Sequence, residues 1–364
     1  MSYSEASIRA AIDGFIEPCL QQSLAEVGAI RELRTLSDRS VRLVLELGFP
    51  VQDYTQELAA ALEAHLAAAG IVLTVELELH SLIVAHAVQR NLKPLAGVKN
   101  VVAVASGKGG VGKSTVAVNL ALAWAGAGAR VGILDADIYG PSQPLMLGLT
   151  GQHPSSVDGK HIRPLRAHGI VAMSIGFLVE PAQAVVWRGP MVTQALSQLL
   201  ADTEWGELDY LVVDMPPGTG DIQLTLAQRV PVAGAIIVTT PQDIALADAR
   251  KGLAMFEKVA VPVLGIVENM SVHVCSNCGH VEHIFGAGGG ARMAAEQGVR
   301  LLGELPLDGR IRAETDGGTP TVVAEPGSAR ARAYLSMARR AAAALAQRAR
   351  DRSALFPKIV VEDS

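Results

Sequence analysis

The sequence predicts an α/β protein: a doubly wound, mostly parallel sheet preceded by a small α/β unit. Three observations point there. Hydrophobic residues make up 49% of the 364 residues but aromatic residues only 4%, so the interior is built from Ala, Val, Leu and Ile, as in sheets covered by helices on both faces. From Val101 onward, short β-branched runs (VVAVAS, VGILDAD, YLVVDMP, AIIVTTP, VLGIVENM and LLGELPL) alternate with helical stretches, the pattern of parallel strands joined by crossovers. Chemically distinctive residues follow these runs, at the carboxyl ends of strands where such sheets bind ligands.

In chain order, residues 1–80 read as a helix, strands near 29–36 and 40–47, a helix over 54–69 and a strand at 71–79. The strands alternate in polarity and the second helix has apolar spacings of three and four. Residues 81–98 form a linker, 99–350 the large sheet domain and 351–364 a loose tail. A last helix over 327–350, rich in Ala and Arg, has the charge of a membrane anchor but few bulky insertion residues, so it is expected to pack on the sheet.

Composition narrows the partners. A net charge of -5 with mixed signs gives no basic field for a nucleic-acid backbone. Three cysteines make no disulfide framework, and two of them three apart favour metal or redox use in a reducing compartment. The start MSYSEASIRAAIDGF lacks a basic segment followed by an apolar one, which predicts a cytoplasmic protein. The uncharged, apolar stretch 114–129 is interrupted by Asn119 and falls short of the roughly 18 to 20 apolar residues of a membrane span. Neither nucleic acid nor membrane is an expected partner.

Gly107, Lys108, Gly109, Gly110, Val111, Gly112, Lys113, Ser114 and Thr115 satisfy GxxxxGK followed by a hydroxyl residue, after a strand and before a helix. Glycines let main-chain N–H groups curl around phosphate oxygens, the helix N-terminus adds its dipole, Lys113 neutralises charge, and Ser114 can ligate Mg²⁺. The expected ligand is ATP on a P-loop NTPase fold. Asp135 and Asp137 close one strand run and Asp214 another, leading into PPGTGD. Carboxylates so placed hold Mg²⁺, directly or through water, and orient an attacking water.

Cys275 and Cys278 form a CxxC after the run ending near Glu268. Two thiolates on one turn can share a metal centre, but two ligands do not complete a four-ligand site. Either this chain contributes more, or a two-fold axis brings a second pair. His273, His280 and His283 flank the pair and could finish a zinc site; a redox dithiol or a purely structural pair are the other readings. Gly279 between Cys278 and His280 excludes a haem attachment motif. Cys19 reads as a small buried residue.

The extra lysine, Lys108, resembles the deviant Walker A loop of the ATPases that include nitrogenase iron protein and the Min and Par ATPases. That resemblance implies a nucleotide-sandwich homodimer in which Lys108 reaches the partner's nucleotide. It also implies that Asp137 activates water in a first switch, Asp214 serves Mg²⁺ in a second, and Asn269 contacts adenine. GKGGVGKST, DADIYGPSQP, WRGPM, DMPPGTGD, ENMS, CSNCGH, FGAGGG, GELPLDGRIR and DGGTP, in that order, resemble the Mrp or ApbC family of iron-sulfur cluster carriers over about 97–345. The resemblance implies an ATPase that bridges a 4Fe-4S cluster between Cys275 and Cys278 of two subunits. The cluster would come from donors and pass to apo client proteins, with Trp187 to Met191 near the dimer face. Residues 1–80 resemble the small iron-sulfur assembly domain often fused ahead of such ATPases, with Glu17-Pro18 in place of its Asp-Pro and no Cys-Pro in LELGFPVQDY. The competing readings are a Min- or Par-type positioning ATPase without metal, and a P-loop ATPase with a structural zinc clasp.

Overall fold

The computed structural model describes residues 3–156, 158–178 and 189–350. The expected tail, 351–364, and Trp187 and Arg188 of the WRGPM segment lie outside the described residues.

The helix Glu5–Asp13 opens the chain, its first turn capped by the Ser4 hydroxyl accepting from Ser7 N, which satisfies an otherwise orphaned donor. Strand Ile30–Ser37 runs antiparallel to Ser40–Leu47, which pairs in parallel with Thr74–Ser81. Alternate residues of the middle strand, Val41, Leu43, Leu45 and Leu47, face inward, and helix Thr55–Ala68 buries Leu58, Leu62 and Leu66 from one stripe. The third strand starts later than the polarity pattern predicts, because its ladder begins where Thr74 meets Ser40 and Val72 before it faces solvent. A two-residue hairpin, Ile16–Glu17 with Gln22–Ser23, is too short to leave a period in the sequence.

The large sheet has eight strands in the order Leu165–Ala167, Ile170–Ser174, Val131–Asp135, Leu208–Asp214, Val98–Ala105, Gly234–Thr239, Val263–Glu268 and Leu301–Glu304. All neighbours are parallel except the first pair. Every residue of Leu208–Asp214, Gly234–Thr239 and Val263–Glu268 is buried, which explains why these strands read as continuous apolar runs. Strand Val98–Ala105 lies centrally, with later strands added on both sides, so the loop after it sits where the winding reverses and a crevice opens. Helix Lys113–Gly126 covers the sheet with Val116 to Trp124 buried.

The last helix, Ala329–Ala346, is shorter at both ends than the composition suggested; Arg350 instead makes an antiparallel bridge to His86. It packs on helix Lys113–Gly126, where Trp124 Nε1 donates to Ala338 O at 2.8 Å. On its other side Arg339 lies over the Tyr54 ring, 3.9 Å from its centroid, and pairs with Asp53 at 3.2 Å and Glu57 at 2.8 Å. Among the described residues, no helix is long and apolar enough to cross a membrane.

Candidate functional site

Gly107, Gly110 and Gly112 shape the phosphate loop. At Gly107 a Cβ would stand 2.2 Å from the main-chain carbon of Asp248, so helix Asp243–Lys258 can approach only a residue without a side chain. Gly110 and Gly112 adopt φ of 81° and 83°, a left-handed region costly for other residues. Lys113 follows as the first residue of its helix, which aims free main-chain N–H groups into the loop.

Two of the predicted residues meet directly. Lys113 Nζ contacts Asp214 Oδ1 and lies 3.1 Å from Ser114 Oγ, so an ammonium stands between the two oxygens predicted to hold a cation. Asp214 is fully buried, as is Asp135, its neighbour in register on the adjacent strand. Burial, and then the Asp214 charge, push the Asp135 carboxyl up to about 7. Asp135 accepts from Ser174 Oγ at 3.2 Å and from the main-chain N–H groups of Asp137 and Gln143 at 3.2 and 3.0 Å. It therefore braces the loop that follows it.

Asp137, half-buried, accepts from Gly140 N at 3.3 Å. Burial raises its carboxyl pKa, while the Lys113 charge pulls the other way. Lys108 turns from the loop towards Gln242, with Nζ 3.5 Å from Oε1. Asn269 is buried and donates from Nδ2 to Val111 O at 2.9 Å, which ties it to the phosphate loop itself. Beside it lies a cavity of about 200 Å³ lined by Gly112, Thr115, Asn269, Pro306, Leu307 and Arg312, among others.

One residue at the centre lies within the DADIYGPSQP block but has no role assigned from the sequence. Gln143 is fully buried; its Nε2 donates to Asp214 Oδ2 at 2.9 Å and to Ser114 O at 3.1 Å. No spacing rule would have singled it out. Only the fold brings residue 143 between residues 114 and 214.

The cysteines occupy a separate feature. Strands His273–Val274 and Val281–Glu282 pair antiparallel, and the turn closes with Gly279 N donating to Cys275 O at 2.8 Å and Cys275 N to His280 O at 2.9 Å. Gly279 has φ of 73°, which lets the chain turn tightly after Cys278. Cys278 is exposed and Cys275 partly so. Main-chain N–H groups of Asn277 and Cys278 hold the Cys275 thiol below its ordinary pKa, which favours the ligating thiolate. His273 and His283 direct Nδ1 at the carbonyls of Leu307 and Ser271, at 3.0 and 2.8 Å. Among the described residues, no three His, Cys, Asp or Glu side chains converge as a metal site. The exposed side chains of Val274, Val281 and Ile284 surround the knuckle.

A family model described as NUBPL iron-transfer P-loop NTPase, within ParA, matches residues 97–342. The chain is 52% identical over 331 residues to the iron-sulfur cluster carrier protein of Haemophilus influenzae, covering 91% of this chain and 89% of that protein. It is 55% identical to the mouse iron-sulfur cluster transfer protein NUBPL, covering 68% of this chain and 77% of that one. Among solved structures, a nucleotide-binding protein from Archaeoglobus fulgidus in complex with ADP is 39% identical, with a TM-score of 0.57, 64% of this chain covered and 90% of that one.

Proposed function

Because this chain belongs to the NUBPL iron-transfer P-loop NTPase family, we propose that it is an ATP-hydrolysing carrier that takes up a 4Fe-4S cluster between two copies and delivers it to apoproteins. The observation that carries this reading is a pair of thiols on one turn, one exposed and one partly so, on a chain that also holds a phosphate loop. Each copy offers two soft ligands, and a two-fold axis supplies the four that such a cluster takes. The relatives' names as cluster carrier and cluster transfer proteins support the same cargo. Cluster donors and apo iron-sulfur clients are then the partners, and a cytoplasmic, reducing setting keeps the thiols free to ligate.

ATP fits the crevice with its phosphates in the loop 107–115 and its base in the cavity beside Asn269, where an amide faces an apolar wall. Lys113 then leaves Asp214 for the β and γ phosphates. The place its ammonium now takes, between Asp214 Oδ1 and Ser114 Oγ, suits Mg²⁺, which when bound neutralises the phosphate oxygens. Asp137, its pKa raised by burial, orients water and takes its proton as the new bond to the γ-phosphorus forms. The bond to the bridging oxygen breaks, and ADP and phosphate leave. Lys108 reaches the nucleotide of the second copy.

The test is anaerobic reconstitution with iron, acid-labile sulfide and zinc counted per dimer. Cys275→Ser or Cys278→Ser alone removes two of four sulfurs, so cluster loss is nearly complete while nucleotide binding persists. Full cluster content in the double variant, or zinc without iron in the unmodified protein, would overturn the carrier reading.

A further inference from the structure

Gln143 occupies a place that the phosphate-site motifs do not explain. Its amide orientation follows from its partners: Asp214 Oδ2 and Ser114 O are both acceptors, so the atom facing them is Nε2. Oε1 is thereby fixed too, and it is buried without any hydrogen-bond partner. A buried acceptor left unpaired costs free energy. A fully buried glutamine with both N–H groups satisfied and its oxygen orphaned is a residue waiting for a donor. Ser142 Oγ, one residue earlier, is a second buried polar atom without a partner.

The neighbours identify the missing donor. Lys113 and Gln143 bracket the same two residues: Lys113 takes Asp214 Oδ1 and lies beside Ser114 Oγ, while Gln143 takes Asp214 Oδ2 and Ser114 O. The Gln143 main-chain N–H also holds Asp135 Oδ2 at 3.0 Å. One residue thus ties both strand-end carboxylates and the first turn of the phosphate-loop helix together. When Lys113 moves to the phosphates, its Asp214 contact is broken and the Gln143 contacts remain. A hydrated cation held by Asp214 and Ser114 would carry water O–H groups, the kind of donor that Gln143 Oε1 lacks.

We propose that Gln143 is a positioning residue of the magnesium site, holding Asp214 and Ser114 in place through Nε2 and receiving a hydrogen bond at Oε1 from a water carried by the cation. The proposal rests on the Mg²⁺-nucleotide reading above. Partners of this kind, which orient the groups that bind a metal, change metal affinity by about 10- to 100-fold when removed.

The experiment measures binding of a fluorescent ADP analogue to the full chain, once in excess Mg²⁺ and once in EDTA. Gln143→Met fills the same volume without polar atoms, and Gln143→Asn keeps the amide but is one methylene too short to span Asp214 and Ser114. Both variants are expected to lose about tenfold of the affinity gained on adding Mg²⁺, at the low end of that range, with affinity in EDTA within about twofold of wild type. Equal losses in the two media would reduce Gln143 to a structural brace and overturn the proposal. So would an undiminished Mg²⁺ gain in variants compared with a wild type that shows it, and that result would leave the ATPase reading intact. A wild type with no Mg²⁺-dependent binding would overturn both.

Discussion

Lys113 performs two tasks with one ammonium group, and replacing it separates them. In this structure it neutralises Asp214, a carboxylate with no solvent exposure; on the proposed function it turns to the phosphates when nucleotide binds. Lys113→Ala is therefore expected to abolish ATP hydrolysis and also to destabilise the nucleotide-free protein, by about 3–5 kcal/mol, since a buried charge loses its partner. Thermal melting in EDTA checks the second effect. Lys108→Ala, whose lysine is only half-buried and whose contact with Gln242 is long, should leave that melting temperature unchanged. Cys19 gives a prediction with a pH sign. Burial, followed by the charge of Glu17, pushes its thiol up to about 12 from an ordinary 9.0. Only thiolate reacts with iodoacetamide, so the native apoprotein at pH 8 should label at Cys275 and Cys278 but at Cys19 only after unfolding. The same shift means that stability from keeping Cys19 neutral is intact below pH 9.0 and is lost as pH rises towards about 12. At this scale the sequence discloses residues whose chemistry is tied to a spacing: Lys113 and Ser114 from the loop pattern, Asp214 from a strand end. Gln143 stands inside the quoted DADIYGPSQP block but gains a role only when the fold places its amide against two acceptors.

The phosphate loop behaves as one element because its conformation, not just its lysine, is selected. Gly112 has φ of 83°, and a Cβ there would lie 2.2 Å from Asn269 Nδ2. Gly112→Ala should consequently displace the Asn269 bond to Val111 O and weaken nucleotide binding at least tenfold in a calorimetric titration, from strain of about 1–3 kcal/mol and the lost contact. Gly159→Ala has a similar φ of 72° but nothing within 4 Å, and should leave affinity unaltered. The strands that build the crevice were legible for a physical reason: burial on both faces demands unbroken apolar runs. Strand Ile170–Ser174 went unread, although every one of its residues is buried. The antiparallel edge Leu165–Ala167 is shorter still and only partly covered.

Across the whole molecule, the first 81 residues and the large sheet are joined by the last helix. Arg339 is its main fastening, stacked on Tyr54 and paired with Asp53 and Glu57. Arg300 adds hydrogen bonds to the carbonyls of Cys19 and Leu20 at 3.1 and 2.9 Å. Arg339→Ala should loosen the N-terminal unit by roughly 1–3 kcal/mol, given how exposed one of the carboxylates is. Hydrogen exchange should then rise in residues 55–68 while ATP binding is retained; unchanged protection there would contradict this fastening. The same helix closes the opposite side of the sheet domain through Trp124 and Ala338, 214 positions apart in sequence. A nascent chain must therefore keep its phosphate-loop helix without its final cover until residue 346 has left the ribosome, and the first unit waits equally long for Arg339. Both contacts wait for the same helix, so a ribosome that has not yet released it holds a chain that cannot complete either, whatever nucleotide surrounds it.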